Sequence, residues 1–291
     1  MLSVRDHLDG GFAYERAGLT TKAIAAYEAA LAAGTGPRDA AEAYLRLARV
    51  HRTRSEWDDA IGKSREAVRL AEEGGSDDLA AEAMNVEVGV YQLRGEFDAG
   101  DALAIRALER ARAPRVRGIL LQNRAAMAAQ QRQFDAATAL FAESVAAFQQ
   151  AGYELGMAVA LNNASAAARD AGDPARSAEL ARQAAALAQK LDALDILLLA
   201  VQNMAHALAL LGRHNEAEGH IGEALGHFAA TKNVLRQAEC LEIMGTLNQL
   251  HPQDRGVAVR CFELARTLAD RVGARPLSER LAHRMTALGA A

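Results

Sequence analysis

Residues 11–30 read GFAYERAGLTTKAIAAYEAA, and this stretch decides the fold. Ala23, Tyr27 and Ala30 follow one another at spacings of four and three residues, which places them on one face of an α-helix. Gly18 lies five residues before Ala23, where the left-handed conformation that glycine adopts readily ends one helix before the next begins. The stretch therefore predicts a helical hairpin whose second helix buries a row of mostly small side chains.

The same register returns six more times along the chain. The later triplets are Ala60/Ser64/Ala67, Gly100/Ala104/Ala107, Ala137/Phe141/Ser144, Ser177/Ala181/Ala184, Ala217/Ile221/Ala224 and Ala258/Phe262/Ala265. Their first residues lie 37 to 41 residues apart, counted from Ala23 onward. Gly95, Gly172 and Gly212 repeat the turn glycine, whereas Ser55 and Arg132 replace it in the second and fourth copies. A persistent period of this size indicates seven stacked helix pairs.

Composition supports an all-α chain and excludes several classes of protein. Of 291 residues 68 are alanine and only 4% are aromatic, which is unsuitable for an all-β fold. The net charge of −4 disfavours a protein whose main task is to coat nucleic acid. The two cysteines, Cys240 and Cys261, are too few for a disulfide framework, so we expect reduced, buried thiols. No apolar run is long enough for a signal peptide or membrane span, which predicts a cytoplasmic protein.

The pattern resembles the tetratricopeptide repeat (TPR) family. The residues that carry the resemblance are Gly11-x2-Tyr14-x3-Gly18-x4-Ala23-x3-Tyr27-x2-Ala30 with Pro37, then Trp57-x2-Ala60 and Tyr91-x3-Gly95-x-Phe97. A period near 40 exceeds the standard 34 residues and is similar to the long repeats of kinesin light chain and of bacterial peptide-sensing regulators. The excess of 29 Arg over 4 Lys also fits a bacterial source. The resemblance implies a right-handed superhelical solenoid.

The repeats leave no space for a separate catalytic or DNA-binding domain, so residues 1–291 are predicted to form a single TPR solenoid. The predicted repeats are 4–37, 41–74, 81–114, 118–151, 158–191, 198–231 and 239–272, followed by a capping helix over 277–288. The turn of the seventh repeat, residues 250–255, is about one residue longer than the others. A capping helix buries one face on the last repeat and exposes the other to water.

A ladder of amide side chains is the clearest candidate binding site. Asn123, Asn163 and Asn203 lie 40 residues apart on first helices, which line the concave surface in the family that the chain resembles. Neighbouring candidates are Gln122, Asn162, Gln202, Asn85, Gln130 and His206. An amide both donates and accepts hydrogen bonds, so a row of them suits the backbone of an extended peptide. The alternative is that these amides bond the neighbouring helix and fix the curvature of the repeats, and the two roles are compatible.

Arginines near the N-terminus form a second candidate site. Arg46 and Arg49 share one helical face, and Arg52, Arg5 and Arg16 extend it into a basic floor for a carboxylate. The alternative is a solvated charged face, partly neutralised by Glu42 and Glu56. Binding of a chaperone tail is disfavoured, because Leu8, Phe12, Leu45 and Arg49 occupy the places of the required Lys/Asn pairs. A third arginine group, Arg106, Arg110, Arg112, Arg115 and Arg117, surrounds a helix end, where positive charge needs no partner.

The helix of repeat six carries Glu216, His220, Glu223 and His227 on one face. These residue types bind zinc or nickel, but a straight helix presents residues eleven apart poorly to one ion, so we expect a hydrated polar face. Gly219, Gly222 and Gly226 on the same helix predict a close crossing, either with the next repeat or with a partner.

These observations predict a protein-interaction scaffold that binds an extended peptide or partner segment in its groove. We expect no catalysis, cofactor or metal, since no nucleophile or acid–base constellation and no nucleotide or metal motif is present. No nucleic acid or membrane is expected as a partner, and a homo-oligomer is possible. Two alternatives remain open: a self-assembling structural scaffold, for which the glycines of repeat six argue, and a peptide-sensing regulatory module that acts through a separate partner.

Overall fold

A computed structural model describes residues 3–34, 36–249 and 254–289, and the all-α prediction is confirmed: the described residues form helices and no strand. The helices are α1 Val4–Arg16, α2 Thr20–Ala32, α3 Pro37–Thr53, α4 Trp57–Glu73, α5 Asp77–Arg94, α6 Phe97–Arg110, α7 Pro114–Gln130, α8 Phe134–Gln150, α9 Glu154–Asp170, α10 Pro174–Lys190, α11 Leu194–Leu210, α12 His214–Ala230, α13 Val234–Gln249, α14 Arg255–Arg271 and α15 Arg275–Ala287.

The long period lengthens the helices rather than the loops. Helices α9, α10, α11 and α12 have 17 residues each and are joined by three-residue turns, which together give 40 residues per pair. Helices α5, α7, α9 and α11 consequently begin four residues before the predicted repeats at 81, 118, 158 and 198. Helix α15 begins at Arg275, two residues before the predicted capping helix. The predicted turn over residues 250–255 lies mostly outside the described residues.

The chain divides into two compact units, Met1–Tyr153 and Glu154–Ala291. Unit 1 contains α1 to α8, and unit 2 contains α9 to α15. Within each unit every helix packs against its neighbours in sequence, and alternate helices also touch: α3 with α5 and α5 with α7 in unit 1, α9 with α11 and α11 with α13 in unit 2. We call the surface of α1, α3, α5 and α7, and that of α9, α11, α13 and α15, the first-helix face of its unit.

The triplets that defined the repeat are buried, all seven of them. Tyr27, Ile221 and Phe262 are fully buried among alanines. Two serines of the triplets donate hydrogen bonds to backbone carbonyls of the helix that they pack against: Ser64 Oγ to Ala83 at 2.7 Å and Ser144 Oγ to Gly118 at 2.8 Å. The two cysteines are buried and free of a disulfide, and burial raises the pKa of Cys240 to about 12.

The turns within the pairs are left-handed at the predicted position even where glycine is missing. Gly95 has φ +73°, and Ser55 and Arg132 both have φ +61°. A side chain in this region clashes with the backbone, so these two residues hold a strained conformation that the flanking helices impose. None of the described helices combines the length and the apolar character that crossing a membrane requires.

Candidate functional site

The predicted amide ladder bonds across the first helices. In unit 1, Asn123 on α7 donates from Nδ2 to Oδ1 of Asn85 on α5 at 2.8 Å. In unit 2, Asn203 on α11 donates to Oδ1 of Asn162 on α9 at 3.0 Å and accepts from Arg169 at 3.1 Å. The amides thus tie neighbouring repeats together, which is the structural role that the sequence left open.

The remaining amides keep their hydrogen-bonding groups available. The side chains of Gln122, Gln130, Asn163 and Gln202 have no hydrogen-bond partner among the described residues; Gln130 and Gln202 are exposed, and the other two are half-buried. In the bonded pair of unit 1, the Asn85 amide nitrogen and the Asn123 amide oxygen are likewise unused within the described ranges. Among the predicted site residues with amide side chains, these groups therefore have hydrogen-bonding capacity that the described chain does not use.

A pocket of about 210 Å³ opens on the first-helix face of unit 1. Its walls come from three successive first helices and the last residue of the turn after α8: Leu45, Arg49 and Arg52 from α3, Glu82, Asn85 and Val86 from α5, Arg115, Val116 and Ile119 from α7, and Tyr153. We call it the unit 1 pocket. Two of the predicted site residues, Asn85 and Arg49, line it. Arg115 lines it as well, although the sequence analysis placed this residue at a helix end and predicted no ligand for it.

The arginines of the predicted basic floor differ in how far they are neutralised. Arg46 lies 3.5 Å from Glu42 and stacks over the ring of Phe12 at 4.7 Å. Arg49 is 3.9 Å from a carboxylate oxygen of Glu15, at the limit of an ion pair. Arg52 has no ion pair or hydrogen bond from its side chain within the described residues. The positive charge that stays unpaired is therefore at Arg52, which lies against α5 at Gly89.

A second pocket, of about 460 Å³, lies on the first-helix face of unit 2. Helices α11, α13 and α15 line it with Asp195, Leu198, Leu199, Gln202, His206, Arg236, Glu239, Glu242, Ile243, Thr246, Arg280 and Arg284. We call it the unit 2 pocket. Of the predicted site residues, Gln202 and His206 line it, whereas Asn203 lies between the helices and bonds Asn162.

The three arginines of the unit 2 pocket are all paired. Glu242 accepts from Arg280 at 2.7 and 2.8 Å and lies 3.3 Å from Arg284. Arg236 pairs with Asp195 and, at 2.7 Å, with Glu239. Three carboxylates therefore balance three guanidinium groups, and these pairs fix the walls of the pocket.

His206 also lines the unit 2 pocket, and its imidazole forms no ion pair with a carboxylate of the described residues. Burial lowers its pKa, and the positive charges of Arg169 and Arg284 lower it further. The imidazole is consequently mostly neutral at pH 7, with one ring nitrogen as a donor and the other as an acceptor.

The glycine-rich helix α12 does not make the crossing within the chain that its sequence predicted. A side chain at Gly219, Gly222 or Gly226 would meet no atom within 4 Å, so the predicted crossing with the next repeat is wrong. The close approaches occur at other glycines, where a methyl group at Gly118 would lie 2.6 Å from Phe148 and one at Gly245 2.5 Å from Phe262. A crossing of α12 with a partner remains a prediction.

Metal-compatible groups converge at one place in the part of the chain that the structure describes. His51, Glu56 and Asp59 bring three ligand atoms within 4.8 Å of one another. Glu56 is already engaged there, at 2.6 Å from Nδ1 of His51 and 2.8 Å from Arg54. The face with His220 and His227 on α12 forms no such group among the described residues.

No protein-family model matches the sequence, and no curated protein does. The solved structures give clear matches. A signal transduction ATPase of the STAND type with a tetratricopeptide repeat sensor, from Pyrococcus horikoshii, is 11% identical over 96% of this chain and 44% of its own, with a TM-score of 0.72. A putative kinesin light chain with TPR-like repeats from Podosopora anserina is 16% identical over 68% of this chain and 99% of its own, with a TM-score of 0.54.

The chain has the fold of a TPR-like repeat protein. A Rap protein complexed with Competence and Sporulation Factor shares this fold at 13% identity, over 91% of this chain and 78% of its own, with a TM-score of 0.58. The resemblance that the repeat-one motif indicated is therefore confirmed at the level of fold. At such identities a TPR-like fold does not by itself assign a function.

Proposed function

We propose that this TPR-like protein is a non-enzymatic scaffold that binds extended peptide segments of partner proteins on its first-helix faces. The observation that carries the proposal is the unit 2 pocket, where α11 and α13 present apolar side chains beside Gln202 and His206 and where α15 adds two arginines. Leu199 stays 49% exposed at this wall, although leucine is usually buried in a protein of this size.

The chemistry of the unit 2 pocket suits a peptide better than a charged small molecule. Its arginines are already paired with carboxylates, so a charged ligand finds little unbalanced charge. Leu198, Leu199 and Ile243 offer contacts to aliphatic side chains, while Gln202 and neutral His206 offer hydrogen bonds to a backbone. Affinity then comes from the backbone and from apolar contacts, as in other grooves that receive extended segments.

The comparisons support a binding role without fixing the ligand. The Rap protein of similar fold was solved in complex with Competence and Sporulation Factor, and the ATPase from Pyrococcus horikoshii has a tetratricopeptide repeat sensor. A peptide-sensing regulatory role that acts through a separate partner is consistent with these neighbours and is a special case of the proposed binding.

The test uses the full chain and a pool of synthetic nonapeptides that have randomised neutral residues and blocked ends. We expect the immobilised wild-type protein to retain peptides from this pool and Leu199→Glu to retain at least about fivefold less, because the added carboxylate is unpaired and displaces apolar contacts. Leu264→Glu is the matched control, since Leu264 is 58% exposed on the second helix α14, away from both pockets.

Three results are informative. Loss of retention in Leu199→Glu but not in Leu264→Glu supports the proposal. Equal retention by all three proteins shows that peptides bind elsewhere, and no retention by the wild type shows that the protein does not bind extended neutral segments; either result contradicts it. The melting temperatures of both variants should match that of the wild type, because both leucines are exposed.

A further inference from the structure

Arg52 is a half-buried guanidinium without a partner in the described part of the chain. No carboxylate oxygen lies within 4.0 Å of it, and its side chain donates no hydrogen bond there. Burial and the neighbouring charge of Arg49 lower its pKa, but a guanidinium remains charged at neutral pH. A buried charge that is left unpaired lowers stability, so its presence needs a reason outside folding.

Helix α5 makes room for this side chain at Gly89. A methyl group at Gly89 would overlap Nη1 of Arg52 and lie 3.5 Å from its Cδ and Cζ. The guanidinium therefore lies directly against the backbone of α5. Glycine inside a helix lowers stability by about 0.5–1 kcal/mol relative to alanine. Both the unpaired charge and the glycine that accommodates it are thus unfavourable for the unliganded fold.

Two further groups on the same wall have free donors. Arg115 stacks over the ring of Tyr153 at 4.8 Å, and it forms no ion pair with any described residue. Asn85 uses only its oxygen, which accepts from Asn123, so its amide nitrogen is available to an acceptor. The donors of α3, α5 and α7 therefore meet at one pocket, and none of them forms a hydrogen bond or ion pair with Glu82, the acid in its lining.

The charge of the unit 1 pocket fits a singly charged anion. Its lining holds three arginines against one acid, Glu82, and Arg49 is shared with Glu15 at 3.9 Å. About one positive charge remains unbalanced, which suits a carboxylate better than a doubly charged phosphate. The volume of about 210 Å³ admits a side chain rather than a nucleotide, and Leu45, Val86 and Ile119 provide apolar walls for its methylene groups.

We propose that the unit 1 pocket binds one carboxylate of an extended peptide, with Arg52 and Arg115 donating to its oxygens and Asn85 to the adjoining backbone. This inference rests on the proposed function, because it names the chemical group that the first-helix face of unit 1 recognises. The carboxylate belongs to a glutamate or aspartate side chain or to the C-terminus of the peptide, and these two sources are separable by experiment. Paired charges of this kind are strong and directional.

Three pools of nonapeptides serve as probes. The first pool has a central glutamate, eight neutral randomised residues and blocked ends; the second has glutamine at the centre; the third is neutral throughout but has a free C-terminal carboxylate. Each is passed over immobilised full-length protein, and retention is measured by mass spectrometry. The proteins are the wild type, Arg52→Met, Arg115→Gln and, as a control that removes the same charge from an exposed site on α6, Arg106→Met.

We expect the wild type to retain the glutamate pool, the free-carboxylate pool, or both, about tenfold more than the glutamine pool. Which of the two is preferred identifies the source of the carboxylate. The preference should disappear in Arg52→Met, weaken in Arg115→Gln and persist in Arg106→Met. Arg52 has no partner to lose, so Arg52→Met should melt at or above the wild-type temperature; Arg115→Gln, at an exposed residue, tests the same pocket independently of that expectation.

The failures of the two proposals are distinguishable. If the glutamine pool is retained through Leu199 but no pool with a carboxylate is preferred, the inference on the unit 1 pocket is wrong and the proposed function stands. If the carboxylate preference is unchanged in both arginine variants, the carboxylate binds elsewhere and the inference is equally wrong. If no pool is retained, both proposals fail.

Discussion

The unit 1 pocket and the unit 2 pocket are lined by three arginines each, and they differ in what those arginines contact. In unit 2, Asp195, Glu239 and Glu242 pair with all three. In unit 1, Arg52 and Arg115 have no carboxylate within 4.0 Å among the described residues. The arginines of the unit 2 pocket are thus neutralised within the chain and stabilise its walls. Arg52 and Arg115 of the unit 1 pocket keep donors that a ligand can use.

Glu242→Gln should remove the pairing that distinguishes the unit 2 pocket from the unit 1 pocket, and we expect it to have the largest effect on stability. The Glu242 side chain is only 12% exposed and holds both Arg280 and Arg284, so its loss leaves two guanidinium groups without a charge partner. We expect the free energy of unfolding in urea to fall by about 2 kcal/mol, less than for a fully buried pair because both arginines reach solvent. The control Glu263→Gln, at an exposed residue on α14 without an ion pair, should change it little.

The same variant makes the unit 2 pocket resemble the unit 1 pocket. Glu242→Gln should therefore retain more of the glutamate pool than the wild type does, even when Arg52→Met is also present. A loss of stability without this gain would show that free arginines on a first-helix face are not sufficient to bind a carboxylate.

The amides should show a smaller difference between the units. Asn203 bonds Asn162 and Arg169, whereas Asn123 makes one bond, to Asn85. We expect Asn203→Ala to lower the free energy of unfolding by about 1.5 kcal/mol and Asn123→Ala by about 0.5 kcal/mol, because the loss of Asn203 leaves more hydrogen-bonding groups without a partner. Equal losses in chemical denaturation would show that the ladder contributes to both units alike.

Gly89→Ala should separate recognition from stability in unit 1. Alanine favours the helix, and the atom that it would displace is the far end of the flexible Arg52 side chain. The melting temperature should rise, corresponding to about 0.5–1 kcal/mol, while the carboxylate preference falls. Gly62→Ala on α4, where nothing lies within 4 Å, is the matched control and should raise stability without changing the preference.

The smallest expected effect concerns His206 and pH. Its pKa is lowered in the folded protein by burial and by Arg169 and Arg284, so below about pH 6.5 the unfolded state takes up a proton that the folded state resists. Its contribution to stability is therefore present at neutral pH and declines as the pH falls through that range. His206→Gln should lose less stability than the wild type between pH 7.5 and 5.5 in denaturant unfolding; an identical decline would show that His206 titrates normally.

The repeat and its core were predictable because they depend on local spacing. All seven triplets are buried, and Ser55 and Arg132 adopt the left-handed turn that Gly18 and Gly95 indicated by position alone. A helix face and a turn are properties of neighbouring residues, so the sequence specifies them directly.

The composition of the pockets was less predictable because it depends on which helices meet. Nothing in the spacing shows that Arg115 reaches the same wall as Arg52. The sequence indicated Glu42 as a partner of these arginines, and Arg46 pairs with it, but it did not indicate Glu15, which lies 3.9 Å from Arg49. The glycines illustrate the same limit: Gly222 suggested a close crossing and has none within the chain, while Gly245 packs against Phe262. One available signal was Gly89, a glycine inside a helix on the same face as Glu82 and Val86.

The three open glycines of α12 have a consequence for motion in unit 2. Each weakens helix propensity by about 0.8–1 kcal/mol relative to alanine, and no tertiary contact at those positions compensates. Helix α10, which contains no glycine, carries no such deficit. We therefore expect local opening to be more frequent at α12 than at α10, so that the amide protons of α12 exchange with solvent sooner. Because α12 packs on α11, such openings reach the helix that carries Leu199, Gln202 and His206.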